Sequence, residues 1–270
     1  MTDGTERGPR PFLVGTNLKM NQTPADSARF VADLARAVAG KHGAGSGVQL
    51  YVCPPFTSFP AVVGPARDAG MWVGAQNMHW AEEGAYTGEV SAAMLRALGI
   101  ELVLIGHAER RRLFHETDPD LNKKVLAALD AGLRVLLCAG ETAEEKGFGV
   151  GPETVARQLK IDLHGVDVAA LPRLQVAYEP VWSIGAGGTP ARPEDVTEIA
   201  VPIRATLRQL CGEAGEAVPI LYGGSVDAGN AGSFTALPEI DGLLLGRSGW
   251  TADSFAAVLD AALRGRDGGG

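Results

Sequence analysis

The chain has 270 residues, of which 46% are hydrophobic and 21% charged, and its formal net charge is −8 at pH 7. These proportions are ordinary for a globular protein, and single α/β barrels reach this length. The acidic balance argues against a nucleic-acid partner, because phosphate backbones bind clustered Lys and Arg. The one tight basic run, at 110–112, is too short to form such a surface.

The ends of the chain and its cysteines indicate where the protein works. Residues 1–10 have no apolar signal-peptide core, and no apolar run is long enough to cross a membrane. The chain has an odd number of cysteines, and their spacing is not that of metal ligands; they are Cys53, Cys138 and Cys211. Cys53 and Cys138 lie inside apolar runs and are predicted to be buried thiols, which suits a reducing compartment. We therefore expect a cytoplasmic protein without membrane contact.

A short apolar run followed by a longer amphipathic stretch recurs along the chain. Each run is too short for a helix and is rich in Val, Leu, Ile or Tyr, which predicts strands buried on both faces, as in a parallel sheet. The runs lie at 12–16, 48–53, 71–75, 101–106, 134–140, 174–178, 218–224 and 242–246.

The intervening stretches are predicted to be helices. Thr23 and Pro24 are an N-cap and a proline at the first helical position, and apolar residues then recur at helical spacing. A second helix precedes Gly132. A third begins at Pro193, runs to about Leu210 and is predicted to kink at Pro202.

Eight strand–helix units in strict alternation predict an α/β fold with a parallel sheet. Units of about 30 residues favour a closed (β/α)8 TIM barrel in a single domain. An open doubly wound sheet is the alternative, since both folds bury both faces of every strand. We expect the barrel to span 11–264, between a flexible N-terminal segment (1–10) and a flexible C-terminal tail (265–270).

Polar residues collect after the strands, at the end where barrel enzymes place their reactive groups. Taken alone, each of these side chains has an ordinary structural explanation, but a single shared rim indicates an active site. The glycine-rich segments among them can offer backbone N–H groups to a phosphate. The residues are Asn17 and Lys19 after the first strand, His107 and Glu109 after the fourth, Glu179 after the sixth, Gly223–Ser225 after the seventh and Gly246–Ser248 after the eighth.

Seven motifs, in matching order and spacing, resemble those of the triosephosphate isomerase family from about residue 11 to 264. They are NLKMN (17–21), GAQN (74–77), GAYTGE (84–89), IGHAERR (105–111), LCAGE (137–141), AYEPVWSIG (177–185) and YGGS (222–225). The resemblance implies an isomerase of glycolysis and gluconeogenesis that interconverts dihydroxyacetone phosphate and glyceraldehyde 3-phosphate through an enediolate, without a cofactor or metal.

The resemblance also implies roles for single residues. Glu179 is the base, His107 the neutral electrophile and Lys19 the positive charge that faces the substrate. Asn17 orients the substrate, and Glu109 supports the site from its edge. The phosphate is held by Gly185, Ser225, Gly246 and Arg247.

The segment after the base is implied to be a lid with a stiff leading hinge and a loose trailing one. Its residues are Pro180, Val181, Trp182, Ser183, Ile184, Gly185, Ala186, Gly187 and Gly188. Thr87 is implied to reach into the neighbouring subunit's site, so we expect a homodimer.

Four positions depart from the family pattern. Leu18 stands where Trp is usual, Ala108 where Ser is usual and Gly188 where Lys is usual. In the last glycine loop, Arg247 replaces a second glycine. Some members of the branch that this loop resembles isomerise a four-carbon ketose phosphate, L-erythrulose 1-phosphate, by the same chemistry, and this is the alternative substrate.

Two further hypotheses come from other classes of protein. A non-catalytic sugar-phosphate-binding barrel would not need a base beside a neutral imidazole. A metal-dependent aldolase would need a His, Asp and Glu cluster at the strand ends, which the sequence does not offer.

Overall fold

The computed structural model describes residues 10–43, 45–185 and 187–268. Within them, eight parallel strands pair in chain order and close into a barrel through β1 and β8. The predicted TIM barrel is therefore confirmed, and the open sheet is excluded because neither edge strand is left unpaired. The strands are β1 (Phe12–Asn17), β2 (Val48–Cys53), β3 (Trp72–Ala75), β4 (Leu102–Ile105), β5 (Arg134–Ala139), β6 (Leu174–Tyr178), β7 (Ile220–Tyr222) and β8 (Gly242–Leu245).

Helices separate the strands along the described chain. The predicted start of α1 is confirmed, because the Thr23 hydroxyl accepts the Asp26 N–H at 3.3 Å and the Asp26 carboxylate accepts the Thr23 N–H at 3.1 Å. The helices are α1 (Pro24–Ala37), α2 (Phe59–Asp68), α3 (Ala92–Ala97), α4 (Ala108–Leu113), α5 (Asp118–Asp130), α6 (Ala143–Gly147), α7 (Gly151–Asp162), α8 (Pro193–Cys211), α9 (Ala231–Thr235) and α10 (Ala252–Gly268).

Two predicted details concern helix ends and bends. Helix α8 begins at Pro193, as predicted, and continues through Pro202 to Cys211, so the predicted kink stays a prediction. Helix α10 continues past 264 to Gly268, and Arg10 is ion-paired with Asp241 at 2.6 Å. The predicted domain boundaries stay a prediction. Residues 1–9 and 269–270 lie outside the described residues.

The strands alternate between two cores, as parallel barrel strands do. On β1, Leu13 faces the barrel interior, whereas Phe12 and Val14 pack against the helices. Tyr51 fills the interior beside Gly15, where a Cβ atom would lie 2.3 Å from the tyrosine ring. The packed interior leaves the mouth of the barrel as the place for a ligand.

Cys53 and Cys138 also face the barrel interior, so the prediction that they are buried is confirmed. Burial raises the pKa of the Cys53 thiol to about 12 and also raises the pKa of the Cys138 thiol well above its usual value. Both thiols therefore stay neutral at physiological pH, and they behave as small apolar side chains.

Gly140 directly follows β5 and allows its backbone to approach the backbone of Glu179, the predicted base. A Cβ atom on this residue would lie 1.9 Å from the carbonyl oxygen of Glu179. Its own N–H donates to the Gln158 side chain at 2.9 Å, which fixes the segment from the other side. The Glu179 N–H in turn donates to the Ala139 carbonyl at 2.8 Å, so neither the backbone of Gly140 nor that of Glu179 can shift freely to make room for a side chain.

Gly140→Ala is expected to lower the free energy of unfolding by about 1–3 kcal/mol, the usual cost of overpacking. Denaturant unfolding at fixed protein concentration measures the change. Gly147→Ala in the exposed helix α6 is the matched control, because nothing lies within 4 Å of its added Cβ. The control should lose no stability, and an unchanged unfolding midpoint for Gly140→Ala would contradict the expectation.

Candidate active site

One cavity of about 500 Å³ opens at the carboxyl ends of the strands. It brings together residues that are far apart in the sequence, from the segments after β1, β4, β6, β7 and β8. Of the predicted catalytic and phosphate-binding residues, the cavity wall includes Asn17, Lys19, His107, Glu179, Gly185, Ser225, Gly246 and Arg247. Glu109 does not line the cavity, but it is ion-paired with Lys19, which does.

Glu179 follows β6 directly and is only 2% exposed. Its Oε2 accepts the backbone N–H of Ala108 at 3.0 Å, and its Oε1 lies 3.4 Å from His107 Nε2. Gly223 leaves room for the carboxylate stem, since a Cβ there would sit 3.0 Å from Glu179 Cγ. The carboxylate is therefore held between β4 and β7, with one oxygen directed towards the imidazole.

His107 is the N-cap of α4, and its ring orientation follows from that position. Its Nδ1 accepts the backbone N–H of Glu109 at 3.2 Å. An Nδ1 that accepts must be unprotonated, so the hydrogen-bond pattern assigns the proton of the neutral ring to Nε2. Nε2–H can thus donate to a ligand oxygen.

Lys19 and Glu109 form an ion pair at 2.5 Å beside this imidazole. Burial is the largest single influence on Glu109 and raises its pKa, but the Lys19 hydrogen bond and nearby positive charges outweigh it, so that the pKa lies below its usual value. The carboxylate therefore stays ionised. It holds the ammonium group of Lys19 at the cavity wall.

The backbone of Lys19 adopts a left-handed conformation, with φ of 52°. Such a conformation costs energy for a residue other than glycine, so it needs local support. The Asn17 side chain accepts the Lys19 N–H at 2.8 Å, and the Gln76 amide donates to the Lys19 carbonyl at 2.9 Å. Gln76 belongs to the GAQN motif, but nothing in the sequence indicated that it contacts the first loop.

The predicted phosphate region also depends on side chains that sequence reasoning missed. Ser225 donates from Oγ to the Ser183 carbonyl at 2.5 Å, which connects the β7 loop to the segment after Glu179. Asn230 donates to the Ser225 carbonyl at 3.2 Å, and Asp227 and Asn230 line the same cavity. Arg247 is exposed at the wall.

The predicted lid begins with a 3-10 turn over Val181–Ser183. Trp182 donates its indole N–H to Glu141 at 2.6 Å, and Tyr178 donates its hydroxyl to the same oxygen at 3.0 Å. Burial raises the pKa of Glu141, although both donors act against that rise. Ile184 and Gly185 line the cavity, whereas Ala186 lies outside the described residues. The leading hinge is thus anchored to Glu141 in the segment that follows β5.

Gly188 closes the trailing end of this segment, and its N–H donates to the Gly185 carbonyl at 3.3 Å. A Cβ atom on Gly188 would lie 2.5 Å from the Ser183 carbonyl group. A lysine in its place could not adopt this arrangement without moving the backbone.

Thr87 lies in an exposed turn of the long loop after β3 and does not line the cavity of its own subunit. Among the described residues, no group of three His, Cys, Asp or Glu is arranged to hold a metal ion. In the same part of the chain, no helix is long and apolar enough to span a membrane.

Comparisons with known proteins agree on one family. The chain is similar to the triosephosphate isomerase of Moorella thermoacetica, with 44% identity over 251 residues that cover 93% of this chain and 98% of that protein. It is 42% identical to that of Acetivibrio thermocellus, over 92% of this chain and 97% of that protein. The crystal structure of triosephosphate isomerase from Bartonella henselae matches with a TM-score of 0.83 at 31% identity, over 93% of this chain and 98% of that one.

The family model described as triosephosphate isomerase matches residues 12–262, which include every strand of the barrel and every residue of the cavity wall. The chain therefore belongs to the triosephosphate isomerase family.

Proposed function

We propose that this aldose–ketose isomerase interconverts dihydroxyacetone phosphate and glyceraldehyde 3-phosphate, with Glu179 as the base that moves a proton between adjacent carbons. The observation that carries the proposal is the convergence of Glu179, His107 and Lys19 on one cavity, with the Glu179 carboxylate 3.4 Å from His107 Nε2. Binding a sugar phosphate would not require a carboxylate beside a neutral imidazole, whereas proton transfer does.

Removal of a proton next to a carbonyl group leaves negative charge on the oxygen. His107 lines the cavity, and its Nε2–H, next to Glu179, can donate to that oxygen, while Lys19 supplies positive charge. Donors that are already oriented stabilise such charge most strongly where water is excluded. The carbonyl and hydroxyl oxygens of the substrate exchange roles in the reaction, and His107 can move a proton from one to the other through Nε2. The Glu109 N–H occupies Nδ1, so the ring keeps Nε2 available for this transfer.

The phosphate is proposed to bind at the opposite side of the cavity, against the glycine loops after β7 and β8. Gly246 has open space around it, which leaves its backbone accessible to a ligand. Backbone N–H groups bind phosphate oxygens without the entropy cost of ordering a side chain. This position would place the carbons of the sugar next to Glu179.

Closure of the segment 180–188 over the bound sugar would exclude water and protect the enediolate. Trp182 and Ser183 are held by Glu141 and Ser225, so these contacts set the resting position of the leading hinge. Each chemical step is a proton transfer between the substrate and side chains of this chain. The proposed mechanism therefore uses no cofactor.

The proposal includes a homodimer. An exposed, large apolar side chain lies in each of the segments between β1 and α1, β2 and α2, and β3 and α3, and another directly follows α4. Solvent exposure of this apolar group of side chains is unfavourable. A second copy of the chain is the partner that would cover it, with Thr87 near the partner's cavity. The side chains are Met20, Phe56, Tyr86 and Phe114, which are 96%, 37%, 47% and 62% exposed.

We also propose that the enzyme works in the cytoplasm. All three cysteines are free thiols, and two of them are buried in the barrel. A reducing compartment keeps such thiols in this form.

Glu179→Gln is expected to lower kcat by roughly 10²–10⁴-fold, because the amide keeps the size of the side chain but cannot accept the proton. A coupled assay measures kcat, and circular dichroism checks that the variant is folded. Glu213→Gln, at an exposed position in a turn after α8, is the matched control and should keep wild-type turnover. Wild-type turnover in Glu179→Gln would remove this residue from the mechanism.

Arg247→Gly tests whether the arginine at the cavity wall selects the substrate. The wild type should have a higher kcat/KM for dihydroxyacetone phosphate than for erythrulose 1-phosphate, and the variant should change that ratio by roughly 10-fold. Arg247→Lys retains the charge and separates its effect from that of shape. Equal ratios in all three proteins would reject a role in selection, and a wild-type preference for the four-carbon sugar would favour that substrate instead.

Sedimentation equilibrium should give twice the chain mass of 28.1 kDa for the wild type at micromolar concentration. Met20→Glu should shift the population towards monomer, because the new charge would be buried in the proposed interface. Phe148→Glu is the control, since Phe148 is 73% exposed but follows α6 and does not belong to the proposed interface. A monomeric wild type would contradict the dimer.

A further inference from the structure

We infer that Trp250 is a positioning residue for the proposed isomerase reaction: its indole N–H binds the Asn17 carbonyl and thereby frees the Arg247 backbone N–H for the phosphate of the substrate. The inference rests on the proposed function for the identity of the substrate. Its central contact can be tested with inorganic phosphate alone.

The pairing of β1 with β8 predicts which backbone N–H the Asn17 carbonyl would accept if the strands continued in register. The register runs from Leu13 opposite Gly242 to Thr16 opposite Leu245, and the Leu13 N–H donates to the Asp241 carbonyl at 2.9 Å. In a parallel ladder, alternate residues bond to the residues before and after their partner. Extended in this register, Asn17 lies opposite Gly246, and its carbonyl would accept the N–H of Arg247.

The structure departs from that pattern at this point. Strand β8 ends at Leu245, and the chain turns into a 3-10 segment over Arg247–Gly249. The Asn17 carbonyl accepts the Trp250 indole N–H at 3.0 Å instead. Asn17 is 4% exposed, and a buried carbonyl without a donor is costly, so the indole supplies the bond that the ladder loses.

Two contacts fix the backbone that carries this indole. Gly249 packs directly on β1, because a Cβ there would lie 2.5 Å from Thr16 Oγ1. The Trp250 carbonyl accepts the Gln22 side-chain amide at 3.4 Å. Since the segment is held at both points, the indole ring is directed at Asn17 before any ligand binds.

The same bond affects both halves of the proposed site. It fixes the peptide group between Asn17 and Leu18, and therefore the start of the left-handed turn that places Lys19. It also keeps Arg247 out of the sheet, at the cavity wall beside Gly246. Trp250 thus connects the residues expected to face the sugar with the loop expected to hold its phosphate.

Trp250→Phe keeps an aromatic ring and removes only the donor. The Asn17 carbonyl should then recover the Arg247 N–H, and the phosphate should lose one charge-assisted hydrogen bond. Affinity for inorganic phosphate, measured by calorimetric titration, should fall by about 10-fold or more. KM should rise by a similar factor. By contrast, kcat should change by less than about 3-fold, because the Arg247 N–H then holds the Asn17 carbonyl and the turn that places Lys19, and the lost phosphate contact is made equally in the ground state and the transition state.

Trp72→Phe is the matched control. This indole lies at the amino end of β3, away from the cavity, and stacks against Arg134 at 4.2 Å. It should leave phosphate affinity and KM unchanged. Wild-type phosphate affinity and KM in Trp250→Phe would overturn the inference.

A measurement on the wild type covers the case in which Trp250→Phe does not fold. Hydrogen exchange of the indole N–H groups, followed by NMR, should be at least about 10-fold slower for Trp250 than for Trp80. Both residues are partly exposed, but among the described residues only the Trp250 indole of this pair has a hydrogen-bond acceptor. Equally fast exchange would overturn the inference. A wild type that binds phosphate but lacks isomerase activity would refute the proposed function alone, and the role of Trp250 in phosphate binding would stand.

Discussion

The pairing of β1 with β8 is the constraint on which the rest of the molecule depends. It converts a row of parallel strands into a ring, and so brings the first and last strands of the chain into contact. Asn17 and Lys19 come from one side of this seam, and Gly246 and Arg247 from the other. Without closure, the groups expected to act on the sugar and those expected to hold its phosphate would lie at opposite edges of a sheet.

Most of the fold could be predicted because parallel strands buried on both faces leave a simple sequence signal. All eight apolar runs coincide with strands, with small differences at the ends, as in β7, which covers only 220–222 of the predicted 218–224. Closure itself could not be derived from periodicity, because an open sheet buries its strands equally well. Chain length and the family resemblance favoured the barrel.

The site was predictable only in part, for a related reason. Strand ends are visible in a sequence, so the polar residues that follow them could be assigned to one rim. Contacts between loops are not visible, since they depend on distances of a few ångströms between segments that are far apart in the chain. The amide of Gln76 on the Lys19 carbonyl, the approach of Gly140 to Glu179 and the indole of Trp250 on Asn17 belong to this second kind.

The donor that holds Glu179 has a consequence for how the protein can change over time. Ala108 stands where the family pattern has serine, and the contact to the carboxylate is made by its main-chain N–H. A main-chain donor is retained by every amino acid except proline. The hydrogen bond to the carboxylate therefore needs no hydroxyl at position 108, and proline is the one substitution there that would remove the donor itself.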